Sequence, residues 1–414
     1  MILPLLVALA GSATAAETID LPTALAIALR DGVDAPEAAL AERAAEAALA
    51  SRRTAGLPDL RLGASTGVSA GSSGTATSGR LSLSSVTPLY AGGSIRSERD
   101  AAEAAVGAAR ADAEAVRQDL HLALAGALLD VAARDALAAS AEASLEAERR
   151  LAERVEALVA AGARTRADSL QTAASVARVR ALVATTSRDA QQAGLALRRL
   201  LRLDPSVPLS FRAPAAPEPL GDTSALIELA RERRPELIAL RAELDAAEAD
   251  ARGARAGGLP SLDLVLGADT ALSGEGAAVV DQLRDESGAT AGLQLAVPLY
   301  DRGVTRGRVA AAQVSLSLAE LAVRTAEADV AYDVRGAVLD TEAAAVSAAA
   351  AQEREAAAQA AAEVVEERYA AGAATLAELQ SVRAEAIAAR AAGVSAEAEQ
   401  VAARFRLARA IGGL

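Results

Sequence analysis

Enzyme chemistry needs a nucleophile beside a base, a set of metal ligands, or a glycine loop that cradles phosphate, and this chain offers none of them. It contains no cysteine and one histidine, His121, set in the helical run Leu120-His121-Leu122. A metal centre takes several ligands, so His121 reads as a structural residue, and no metal or cofactor is expected. The stretch Gly71–Gly79 lacks the lysine and the strand-to-helix setting of a phosphate loop. The residues that do recur at fixed spacing do conformational rather than covalent work. Val86-Thr87-Pro88-Leu89-Tyr90-Ala91-Gly92-Gly93 returns as Val297-Pro298-Leu299-Tyr300-Asp301-Arg302-Gly303, and Ala160-Ala161-Gly162-Ala163 returns as Ala370-Ala371-Gly372-Ala373. The expectation is a non-enzymatic protein. Its special positions are two strand–helix corners, at Pro88 and Tyr90 and at Pro298 and Tyr300, and two tight turns, at Gly162 and Gly372.

Both landmarks recur at one offset of about 210 residues, so one structural unit occurs twice. In the first copy Leu60, Leu62, Ala64, Thr66 and Val68 alternate with polar or tiny residues, and in the second Leu262, Leu264, Leu266 and Ala268 alternate with Asp263, Val265, Gly267 and Asp269. Period two predicts strands with one apolar face. A long alanine-rich helical pattern follows each corner; at ~1.5 Å per residue, roughly 65 residues span about 100 Å. The apolar run Ile2 to Ala10, followed by Ala13-Thr14-Ala15-Ala16, reads as a signal peptide over 1–15. The first repeat is placed at 16–203, with strands 59–70 and 80–88 around a glycine/serine loop and a long helix pair over 94–203. A linker at 204–223 carries five prolines, which exclude a continuous helix. The second repeat occupies 224–414, with strands 261–270 and 289–298 around a polar loop and a helix pair over 303–410.

Of the 414 residues 52% are hydrophobic, yet only 1% are aromatic, and alanine dominates. That profile suits long, closely packed helices better than an ordinary globular core. The formal charge of −13 argues against a nucleic-acid partner. No apolar run is long enough for a membrane helix, but a strand of about ten residues crosses a bilayer when tilted. In lipid every backbone polar group must be paired, so two strands per copy have to join a closed sheet pooled from several chains. The fold class expected is mainly α with a small β part: a long antiparallel coiled-coil tunnel, and four strands per protomer in a shared transmembrane barrel.

The chain resembles the TolC-type outer-membrane efflux protein family. The resemblance covers nearly the whole mature chain. It is carried by the paired Pro-Leu-Tyr corners, the strand starts at Leu57-Pro58 and Leu259-Pro260, the run Arg368-Tyr369-x-x-Gly372 followed by Leu379-Gln380, and the duplicated order. It implies a homotrimer in outer-membrane lipid, with one twelve-stranded barrel on a periplasmic helical tunnel. It also implies a periplasmic adaptor (membrane fusion) protein and an inner-membrane transporter as partners, in efflux or type I secretion. The tips at Gly162 and Gly372 would touch the adaptor. By alignment on those glycines, Asp168 falls on the family's lock aspartate, Tyr369 on its lock tyrosine and Glu378 on an acid of the entrance ring. Ala374 and Ser381 depart from the pattern, standing where a lock arginine and a second ring acid occur; Arg164 and Arg166 are the candidates to replace that arginine. The simpler reading of Asp168 and Glu378 is as acids favoured at helix N-termini. The alternatives for the whole chain are an adaptor-like protein and a soluble coiled-coil scaffold.

Overall fold

The computed structural model describes residues 18–71, 74–206, 209–218, 221–273 and 287–414, so the expected signal segment lies outside it. In order the elements are β1 (Thr18–Ile19), α1 (Leu21–Asp31), α2 (Asp34–Thr54), β2 (Arg61–Gly71), β3 (Gly74–Ala91), α3 (Ser94–Ala160) and α4 (Arg166–Leu200). There follow β4 (Ser210–Phe211), α5 (Thr223–Arg233), α6 (Pro235–Ala256), β5 (Ser261–Ser273), β6 (Ser287–Ala296), α7 (Val304–Ala370) and α8 (Leu376–Ala410). The repeat is close in detail. Helices α3 and α7 are both 67 residues long, and α4 and α8 are both 35.

The chain forms two compact units, and these are not the two repeats. One comprises Met1–Ala38, Ala113–Pro235 and Ala328–Leu414; the other comprises Ala39–Asp112 and Glu236–Glu327. The division at 204–223 therefore separates repeats, whereas each compact unit draws on both.

In the first unit the apolar stripes of the helices meet in matching clusters. Leu124, Leu128 and Val131 of α3 pack on Leu197 of α4, Leu201 and Ala24 and Ala28 of α1. The second repeat builds the counterpart from Val330 and Val334 of α7, Leu407 of α8, Ile411, and Leu226, Ile227 and Ala230 of α5. Ala125 and Leu129 of α3 then pack on Phe405 of α8, joining the repeats. His121 lies 6.3 Å from the Phe405 ring, and burial lowers its pKa, consistent with a structural role. Within the proline-rich linker, β4 pairs in parallel with β1, a two-residue match too short to leave a periodic signal.

In the second unit the strands form one antiparallel sheet in the order β2-β3-β5-β6. The strand bounds differ from those expected. Much of the expected glycine/serine loop is strand: β2 runs to Gly71 and β3 starts at Gly74, paired as far as Gly71↔Gly74, and residues 72 and 73 lie outside the described residues. Small residues hid the strand, because alternation of glycine, serine and threonine produces no apolar period. Strand β3 also continues through the first corner to Ala91, absorbing Pro88 and Tyr90 by a register shift between them. The second corner, Pro298 and Tyr300, lies beyond the end of β6 at Ala296 rather than in a strand reaching 298. Of the expected loop at 273–288, residues 274–286 lie outside the described residues.

Beyond the second corner Asp301 caps α7. Its carboxylate accepts from the Thr305 and Gly303 backbone N–H groups at 2.7 and 2.9 Å. Those donors, Thr305 first, push its pKa down to about 2. The folded value is below the unfolded one, so the cap stabilises α7 above the ordinary carboxylate range of about 4 and loses that contribution as the pH falls from there to about 2. Hydrogen exchange at Gly303 and Thr305 should accelerate across that window, and Asp301→Ala should show fast exchange at every pH.

Candidate functional site

Two surfaces are the candidates for function: the sheet and the helix turns. Residues directly opposite in an antiparallel pair share a face. The register therefore puts Leu62 beside Leu83, Leu83 beside Ala268, Leu264 beside Leu293 and Leu262 beside Leu295. Every charged residue of the four strands stands on the opposite face: Arg61, Arg80, Asp263 and Asp269. Arg80 and Asp269 approach to 3.7 Å there. Leu62, Val68, Leu83, Leu266, Leu293 and Leu295 are exposed, Leu62 at 71%. An uncharged, exposed apolar face opposite a polar one is the pattern of a strand set between lipid and a watery lumen. Strands β2 and β6 each have one neighbour, so both outer edges keep unpaired backbone groups, which lipid does not tolerate.

The corners close this surface. The register shift in β3 leaves Leu89 unmatched and puts Tyr90 opposite Leu262, on the apolar face. Tyr90 and Tyr300 are both exposed, with Leu89 and Leu299 beside them. An amphipathic ring at the edge of an apolar band suits the border between lipid and water.

The helix turns are built alike. Gly162 and Gly372 have φ of 74° and 77°, open to glycine and strained for side chains. Ala163 N–H donates to the Leu158 carbonyl and Gly162 N–H to that of Val159, and the second turn repeats this with Ala373 to Arg368 and Gly372 to Tyr369. These are Schellman closures. Each return helix then opens with a capping box, Thr165 with Asp168 and Thr375 with Glu378. The carboxylates accept from the backbone N–H of Thr165 at 3.0 Å and of Thr375 at 3.4 Å. Asp168 and Glu378 thus have the helix-terminal role that is the simpler reading of both, and Glu378 also lies 3.8 Å from Arg368.

Tyr369 joins the two turns. It is 3% exposed, packed with Leu151 and Val155 of α3 and with Ala374, Leu376 and Leu379. The Arg164 guanidinium lies 4.6 Å over its ring and donates to its carbonyl at 3.5 Å. Ala374 thus fills an apolar site, and the guanidinium over Tyr369 belongs to the other repeat's turn; Arg166 is exposed. Gln171 and Gln380 hydrogen-bond across the repeats at 3.0 Å. Further from the turns, Arg383 of α8 bridges Glu148 of α3 at 3.4 Å and Glu366 of α7 at 2.8 Å. Sequence reasoning missed this triad. The available signal was Glu148 itself, an acid on the stripe of Leu145, Leu151 and Val155.

The Tyr369 hydroxyl is buried without a hydrogen-bond partner among the described residues. Tyr369→Phe should therefore leave stability unchanged or raise it. Tyr369→Ala should cost about 3–5 kcal/mol through the cavity it leaves. Arg164→Ala should cost about 0.5–2 kcal/mol, the range for a cation–π pair. Denaturant unfolding of the three variants checks the order.

A family model described as outer membrane efflux protein matches residues 28–201 and 226–413, one segment in each repeat. Protein CyaE of Bordetella pertussis is 31% identical over 340 residues, which cover 80% of this chain and 69% of that protein. The fold is that of solved outer-membrane channels. The channel OprN superposes with a TM-score of 0.82 at 24% identity, over 95% of this chain and 90% of OprN. The outer membrane protein VceC of Vibrio cholerae gives 0.82 at 21%, over 95% and 96%. The open-state MtrE channel of Neisseria gonorrhoeae gives 0.81 at 21%, over 95% and 89%.

Proposed function

The chain belongs to the outer membrane efflux protein family, and we propose that three copies close their sheets into one barrel, continued by a helical conduit that receives cargo from a periplasmic adaptor and an inner-membrane transporter. It is an outer-membrane efflux channel. The single observation that carries the assembly is the set of surfaces one copy leaves unpartnered. At the sheet, β2 of one copy and β6 of the next supply each other's missing hydrogen bonds, and a head-to-tail contact of this kind closes into a ring.

The helices support the same reading through the repeat offset. Within a chain Leu129 packs on Phe405. The residues 210 positions away, Leu339 and Leu195, are 64% and 47% exposed. The contact made once inside the chain is therefore available a second time, between chains. Tyr332, Leu339 and Val346, all exposed and seven residues apart, extend it along α7 at coiled-coil spacing. A soluble scaffold or an adaptor hairpin leaves both the uncharged sheet face and this seam without a purpose.

In this reading the tips at Gly162 and Gly372 face the adaptor and form the periplasmic entrance, with Tyr369 and Arg164 as the latch between the repeats. Asp168 and Glu378 ring the opening, where like charges favour cations.

Wild-type protein should run from the outer-membrane fraction as a trimer-sized band that dissociates on boiling, and Leu339→Arg should abolish that band. A soluble monomer from wild type would overturn the assembly. Glu378→Gln should lower cation selectivity and divalent block in single-channel recordings. Glutamine keeps the capping box and removes the charge together with its 3.8 Å pairing to Arg368; unaltered selectivity would remove Glu378 from the entrance.

A further inference from the structure

At the first strand–helix corner a cleft of about 490 Å³ opens beside Tyr90 and is lined by four arginines, Arg52, Arg53, Arg96 and Arg99. Their charge is incompletely answered. Arg52 pairs with Glu98 at 2.7 Å. Arg96 and Arg99 share Asp100 at 4.0 and 3.7 Å, and Arg252 claims the same carboxylate at 3.8 Å. Arg53 makes no ion pair among the described residues, and the Arg96 side chain is 83% exposed. The chain as a whole has a net charge of −13, so this local excess of positive charge runs against the overall balance.

The repeat sharpens the point. At the second corner the end of α7 has its own anion, the Asp301 carboxylate held by Gly303 and Thr305. The residue 210 positions earlier is Ala91, and the first turn of α3 carries no acid. One corner supplies its anion covalently, while at the other no carboxylate lines the arginine cleft itself. The exposed Leu89 and Tyr90 beside the cleft continue the uncharged face of the sheet.

We infer that this cleft binds the phosphate headgroup of an anionic glycerophospholipid of the periplasmic leaflet, with Arg53 and Arg96 as its principal ligands and the acyl chains laid along the apolar face beyond Tyr90. The chemistry is that of phosphate held by guanidinium groups, which match its oxygens in planar, two-pronged fashion. The placement also fits, since headgroups sit where an apolar band ends. This inference rests on the reading of the sheet as a membrane wall.

The test uses the full chain, purified as the heat-dissociable oligomer and placed in phosphatidylethanolamine nanodiscs with phosphatidylglycerol as the probe. Native mass spectrometry counts the phosphatidylglycerol retained after mild detergent release. Wild type should retain one molecule per protomer. Arg53→Gln with Arg96→Gln should weaken that retention by about tenfold or more. Arg306→Gln with Arg308→Gln, at the corner already served by Asp301, should leave it unchanged. Equal loss from both double variants, no loss from the first, or inorganic phosphate competing as well as the lipid would overturn the site. So would loss of the oligomer in the first variant, which would make the cleft a contact between protomers. A wild-type chain that gives no heat-dissociable band fails earlier, at the membrane reading itself.

Discussion

The structure depends on one constraint: backbone N–H and C=O groups in lipid need partners, and a four-stranded sheet with two free edges does not supply them. That requirement makes the single chain incomplete. It also explains why the charged residues of the strands all stand on one face. Sorting Arg61, Arg80, Asp263 and Asp269 away from the leucine face is what a sheet with one face in hydrocarbon requires.

Duplication provides an economical way to satisfy incomplete surfaces. Each long helix offers two packing stripes. One is used within its own repeat, as Leu124 and Leu128 on Leu197, and as Val334 on Leu407. The other is used by α3 against Phe405 and is left open by α7 at Leu339. Because the two repeats keep nearly identical helix lengths and identical turn chemistry, the contact that α3 makes inside the chain has an open counterpart on α7. Alanine-rich packing makes this possible, since small side chains let long helices approach evenly along their length.

The helix turns show where the copies have diverged. Both have a glycine in the left-handed region and a threonine–acid capping box, so both close by the same hydrogen bonds. Their surroundings differ. The second repeat supplies Tyr369, Ala374, Leu376 and Leu379 to an apolar cluster, and the first has Val159, Arg164, Arg166 and Ser169 at the matching positions. Arg164, which matches Ala374 in the repeat, stacks on the tyrosine of the other turn. A cation–π contact is indifferent to which turn contributes the cation, provided that the guanidinium reaches the ring face.

Local residue order determined much of this protein. Period two at Leu262 to Ala268, proline-free alanine runs, the Gly162 and Gly372 turns and the 210-residue offset are short-range signals. Each is dictated by backbone geometry within a few residues, so strands, long helices and the repeat were legible without coordinates. The strand residues from Gly74 to Gly79 were not, because small residues show no period and only pairing across the sheet defines them. Tertiary structure alone decided which unit each segment joins and that β4 finds β1. It also put Tyr90 on the apolar face through the shift in β3, and Arg164 rather than a neighbour of Ala374 over Tyr369. Those outcomes depend on contacts between residues far apart in the chain, whose free energy comes from packing and pairing in three dimensions rather than from local propensity.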